Sequence, residues 1–146
     1  ELGDDFDELR WMIPNRLGAL FLGYDRMERA EEAFREARRR ARLARAREGF
    51  VRVGSNLGAL HLKRGRLDRA REHFENAREV ARTTGDVLNQ ARIAINLGVT
   101  AMKSDELEAA RTILTEARQI AREIGWDEGL EQIARRLEDL DVLLSE

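Results

Sequence analysis

Cysteine is absent from the 146 residues. This excludes disulfide bonds, thiolate nucleophiles and cysteine-bound zinc, and it agrees with a reducing, cytoplasmic setting. There is one proline, Pro14, and aromatic residues make up only 5%. No apolar run approaches the ~20 residues of a membrane span, and no signal peptide is recognisable. Net charge is only −2, so no overall field draws in nucleic acid or an anionic membrane. No glycine-rich phosphate loop occurs. His61 and His73, the two histidines, belong to no nucleophile or metal-ligand spacing. We therefore expect no enzyme, no cofactor and no metal. The chain begins with Glu1 rather than Met, which suggests processing or excision from something longer.

The remaining composition is 42% hydrophobic and 37% charged, rich in Ala, Arg, Glu and Leu, which fits an all-α protein. One short stretch organises it. Arg16-Leu17-Gly18-Ala19-Leu20 returns as Asn56-Leu57-Gly58-Ala59-Leu60 and as Asn96-Leu97-Gly98-Val99-Thr100, a step of 40 residues each time. Ala30, Ala70 and Ala110 keep the same register, as do Phe34, Phe74 and Leu114, and Ala37, Ala77 and Ala117. A fixed period of this size marks a stacked repeat array. The glycines lie mid-helix, where each costs ~1 kcal/mol against alanine, so their recurrence implies close backbone approach. The alanines are expected to supply the opposite side, with Phe34, Phe74 and Leu114 filling the wedge.

In chain order, residues 1–5 are acidic and expected to fray. Leu9, Met12, Ile13, Leu17, Leu20 and Phe21 then give a helical pattern from Asp7 to about Tyr24, which Pro14 should kink or break near 10–14. Asp25 is placed to cap the next helix, ending near Ala44. Between 38 and 48 there is no Gly or Pro; local propensity favours continuous helix, whereas the register puts a turn at 44–46, where the later repeats carry Gly85 and Gly125. We follow the register. Further helices are expected at about 46–64, 67–83, 86–103 and 106–123, with Asp86 and either Ser104 or Asp105 as caps. A last helix, 127–144, carries a narrow stripe of Leu130, Ile133, Leu137, Leu140 and Leu144, the remainder being solvated by Glu131, Arg135, Glu138 and Asp139. The expected architecture is one domain, 1–146, with repeats of about 5–44, 45–84 and 85–124 and a capping helix at 126–144. Phe6, Leu9, Trp11, Met12 and Ile13 make the first helix unusually apolar for an array end, as a contact surface would be.

The order L-G, Ala, large apolar residue, Ala resembles the tetratricopeptide repeat family over residues ~11–124. The 40-residue N-L-G form is similar to repeats of kinesin light chain, of Pins-type spindle adaptors and of bacterial regulators; Arg42, Arg82 and Arg122 stand where the family usually has proline. The resemblance implies an α-solenoid of three helix-turn-helix units plus a cap, seven helices in a right-handed superhelix. It also implies that the first helix of each pair lines a concave groove for an extended peptide.

On that basis Arg16, Asn56 and Asn96 face the groove. The asparagines would hold a peptide backbone through one amide donor and one acceptor, or else brace neighbouring helices. Arg52 and Arg92 lie four residues back, with Met12 at the equivalent place. Glu48 stands one turn before Arg52, whereas Arg92 has no such acid. Lys63 and Lys103 close the helices, where a dipole interaction is the simpler explanation. With a floor of Leu22, Leu62 and Met102, these would make a basic groove for an acidic or C-terminal carboxylate-bearing peptide. Six arginines within 38–47 read as a solvated convex face rather than a nucleic-acid patch, because no aromatics interleave. The expected function is a protein- or peptide-binding scaffold within a larger regulator or adaptor. The alternative is a structural or oligomerisation element, packing on another copy or a neighbouring domain.

Overall fold

The computed structural model describes residues 2–146. Residue 1 and the side chains of 2–5 lie outside what is described, but the backbone of 2–5, expected to fray, is helical. Helices are α1 (Leu2–Leu9), α2 (Met12–Gly23), α3 (Met27–Leu43), α4 (Arg47–Lys63), α5 (Leu67–Thr84), α6 (Val87–Lys103), α7 (Leu107–Ile124) and α8 (Asp127–Leu144). The seven helices α2 to α8 are those expected of the array, and the short α1 precedes them. No strand occurs among the described residues.

Proline sets the first break. Helix α2 restarts at Met12, which puts Pro14 in its first turn, where a missing N–H leaves no ladder bond unmade. The Arg10 carbonyl, which an unbroken helix would have aimed at that N–H, accepts instead from Arg40 Nη1 at 3.4 Å.

Each later turn is built one way. A left-handed residue recurs every twenty positions: Asp25, Arg45, Gly65, Gly85, Asp105 and Gly125, with φ between 51° and 73°. The next residue's N–H reaches back five positions, as in Arg26 to Phe21 O at 2.8 Å and Ala46 to Ala41 O at 2.8 Å. These are Schellman closures, which satisfy carbonyls orphaned at the helix end. The 38–48 join is therefore a turn, with Arg45 at the glycine's place. Two expected caps are corrected. Asp25 and Asp105 occupy the left-handed position, leaving Arg26 and Glu106 as N-cap residues without a side-chain cap bond. Ser104 Oγ donates back to the Thr100 carbonyl at 2.9 Å. Asp86 does cap, accepting from the Asn89 N–H at 3.2 Å.

The chain divides into two compact units, Glu1–Val80 and Ala81–Glu146. In the first, Trp11, Phe34, Val53, Leu57 and Leu60 form a buried cluster with Ala30, Ala37 and Ala41. In the second, Leu114, Ile133 and Leu140 close on Ala110, Ala117 and Ala121. Each large side chain so buried contributes about 1.5–3 kcal/mol. Phe34, Phe74 and Leu114 fill the glycine wedge as expected, and what differs is the place of the alanines. A Cβ on Gly18 or Gly58 would fall 2.5 Å from the ring of Phe34 or Phe74, and one on Gly98 would fall 2.7 Å from Leu114. The large residue itself, not an alanine, occupies the glycine's gap; glycine against alanine occurs at Gly54, facing Ala77.

The two ends also depart in detail. On α8, Ile133 and Leu140 are buried as expected, but Leu144 is exposed beside Val142 and Leu143. Within the apolar N-terminal group, Trp11 is only 3% exposed and Met12 packs against the same core. Phe6, Leu9 and Ile13 are exposed.

Candidate peptide-binding faces

Helix α6 carries Arg92, Asn96 and Lys103 at spacings that keep them on one face. Arg92 is exposed, and its guanidinium lies over the Trp126 ring, 5.5 Å from the centroid. It has no carboxylate within ion-pair distance among the described residues. The flat cation is thus steadied by a π face while its N–H edge stays available. Half-buried Asn96 spends its backbone carbonyl on the Thr100 hydroxyl at 2.8 Å, and its side-chain amide has no partner among the described residues. Lys103 is exposed and unpaired there too. Met102 is half-buried against the second unit's core.

Helix α4 carries the equivalent residues in a different state. The Asn56 amide donates to Asn15 Oδ1 at 2.9 Å, and Asn15 is only 5% exposed on α2. That bond braces two helices and leaves the Asn56 carbonyl oxygen for any peptide. Arg52 sits 5.5 Å over the Trp11 ring and 3.6 Å from Glu48. Lys63 pairs with Asp25 at 3.3 Å. Leu62 is half-buried and Arg16 on α2 is exposed.

Two features escaped the sequence reading. The Arg-on-Trp pairs were one, although a signal existed: Gly49 and Gly129 lie two periods apart, and each clears a tryptophan. A Cβ on Gly49 would come within 2.7 Å of Trp11, and one on Gly129 would strike Trp126. Asn15 was the other. A polar residue beside Pro14 at a helix start gives no hint that it will be buried. The arginines of 38–47 prove partly engaged, with Arg39 and Arg40 both bonded to Glu36.

Among the described residues, no helix is long and apolar enough to cross a membrane, and no metal-ligand grouping occurs. Among known proteins, the tetratricopeptide repeat model matches residues 51–123, half of the chain. No curated protein matches. Among solved structures, the chain is similar to the C-terminal TPR-containing domain of an FK506-binding protein from Plasmodium falciparum. Identity is 16%, coverage is 93% of either chain, and the TM-score is 0.66. At that identity the likeness speaks for the fold. Helix order, the recurring glycine wedge and the family match agree, and the chain belongs to the tetratricopeptide repeat family.

Proposed function

We propose that this chain is a non-catalytic, cytoplasmic protein- or peptide-binding module of a larger regulator or adaptor. Its repeats are about 5–44, 45–84 and 85–124, closed by the helix at 126–144, and its first-helix faces hold an extended acidic peptide. The observation that carries the reading is the α6 face, where Arg92, Asn96 and Lys103 present polar groups that nothing in the described chain satisfies. Asn96 would take a peptide group and Arg92 a carboxylate, with Met102 as apolar contact. Arg16, Arg52, Asn56, Leu62 and Lys63 would serve in the same way on α2 and α4, in competition with their present partners.

Fluorescence anisotropy with a labelled Asp/Glu-rich peptide ending in a free carboxylate tests this. Asn96→Ala should leave thermal stability unchanged and weaken binding by about 1–3 kcal/mol. Arg92→Glu should weaken it further and flatten its salt dependence. Asn56→Ala should also lower stability by about 1–3 kcal/mol, because buried Asn15 loses its donor. Peptide binding indifferent to both α6 changes would end this reading.

Self-association is the second reading, and one observation favours it. Phe6, Leu9, Ile13, Leu17, Leu20 and Tyr24 are all exposed, and they follow one another at steps of three and four. By register, Ile13, Leu17 and Leu20 correspond to Val53, Leu57 and Leu60, which are buried. Light scattering should then report a dimer that Leu17→Asp converts to monomer; a wild-type monomer at high concentration would discard it.

A further inference from the structure

A separate basic grouping lies among α3, α4 and α5 of the first unit. A cavity of about 250 Å³ is lined by Arg35 and Arg38 of α3, His61 of α4, and Arg69, Glu72 and His73 of α5. At ~30 Å³ per water, this is room for a small polar group and the start of whatever carries it. The two histidines, unrelated in the sequence, stack here with ring centroids 5.2 Å apart and planes within 3°. His61 is 3% exposed, and its Nδ1 has no hydrogen-bond partner. Buried nitrogens are rarely left so.

The charges are as unbalanced as the hydrogen bonding. Neither Arg38 nor Arg69 has a carboxylate within ion-pair distance among the described residues. Arg35 bonds to Glu31 at 2.9 Å, but Glu31 also serves Arg64 at 3.0 Å. Burial, then the neighbouring Arg42 and Arg35, push the Arg38 pKa down. Half-burying a cation among cations is unfavourable unless an anion joins them. Glu72 is the one carboxylate lining the space.

We propose that this cavity is an anion site for a phosphate group, held by the forks of Arg38 and Arg69 with Arg35 beside them. Guanidinium groups match phosphate oxygens two at a time, and a dianion offsets more of the crowded positive charge than a carboxylate does. An oxygen beside the ring stack gives the His61 imidazole a partner that the protein does not. The charged groups acting on the two rings are Glu31, Arg35 and Arg38 from α3, Arg66 from the turn before α5, and Arg69 and Glu72 from α5. Among these the cations outnumber the acids, and both histidines are held neutral. A bound phosphate dianion cancels that excess of positive charge and raises both imidazole pKa values. The site uses none of the residues assigned to the peptide faces, so either assignment can fail without the other.

The test is an NMR titration of the whole chain at pH 7, following histidine ring and arginine Nε signals. Sodium phosphate and O-phosphoserine are compared with sodium chloride and sodium acetate at equal ionic strength. Both phosphates should give saturable shifts at His61, His73, Arg38 and Arg69, with upward movement of both histidine pKa values. Tighter binding of phosphoserine than of inorganic phosphate assigns the group to a phosphorylated side chain; the reverse order assigns it to a free phosphate. Arg38→Gln should weaken binding about tenfold or more. Arg69→Gln, at an exposed position, supplies the same test if Arg38→Gln disturbs folding by circular dichroism. Arg47→Gln, outside the cavity, should leave binding unchanged. Shifts that follow ionic strength alone, acetate binding as tightly as phosphate, or phosphate binding that survives loss of either cavity arginine would each overturn the proposal.

Discussion

Single residues in this chain are held to their identity by what touches them. A methyl group on Gly58 would enter the Phe74 ring, whereas one on Gly23 would meet nothing within 4 Å. Gly58→Ala should therefore destabilise the fold by about 1–3 kcal/mol despite alanine's better helix propensity. Gly23→Ala should cost nothing, and thermal unfolding of the two variants checks the contrast. His61 supplies a pH effect. Burial first, and then the neighbouring His73, lower its pKa to about 4, and burial and then Arg38 lower that of His73. The unfolded chain takes up protons near pH 6.5, while the folded chain resists until near 4. The stability that a neutral His61 allows is thus complete above pH 6.5 and is lost as pH falls toward 4, and the lowered pKa of His73 acts in the same direction. The midpoint of thermal unfolding should drop across that window, and His61→Phe, which restores the residue type of Phe21, should reduce the drop. A fall of equal size in His61→Phe would place its origin in other groups.

Among the elements, the six turns carry the clearest test. Arg45 takes the left-handed conformation at φ 51°, where Gly85 and Gly125 stand in the later repeats. A side chain there is strained, and Arg45→Gly should stabilise the protein by about 0.5–1 kcal/mol, read as a higher unfolding midpoint. This turn also shows how the sequence could be read. Every residue from 38 to 48 favours helix, so local propensity pointed the wrong way, and only the 40-residue register located the break. The same register gave helix ends within a few residues throughout. It could not assign roles at those ends: an aspartate suits both an N-cap and a left-handed position, and Asp25 and Asp105 take the second while Asp86 takes the first.

For the molecule as a whole, periodicity made the family legible and left the partners of individual side chains obscure. Asn56 and Asn96 are equivalent by register, yet only Asn56 has a buried amide opposite it, because Asn15 belongs to the first repeat alone. The histidine stack was hidden for a similar reason: His61 and His73 lie on successive helices, and only packing decides that their rings meet. What repeats can be read from one sequence, and what differs between repeats needs coordinates. The even spacing of the left-handed residues has one more consequence. Twenty residues from turn to turn means that each helix between two such turns has nearly the same length. An α-helix advances about 100° per residue, so one residue inserted within any helix would turn the following stretch by more than a quarter circle. On α3, α5 or α7 the buried alanines beyond the insertion would then be turned off the core. An insertion of a whole forty-residue period leaves every other left-handed turn on the same twenty-residue spacing.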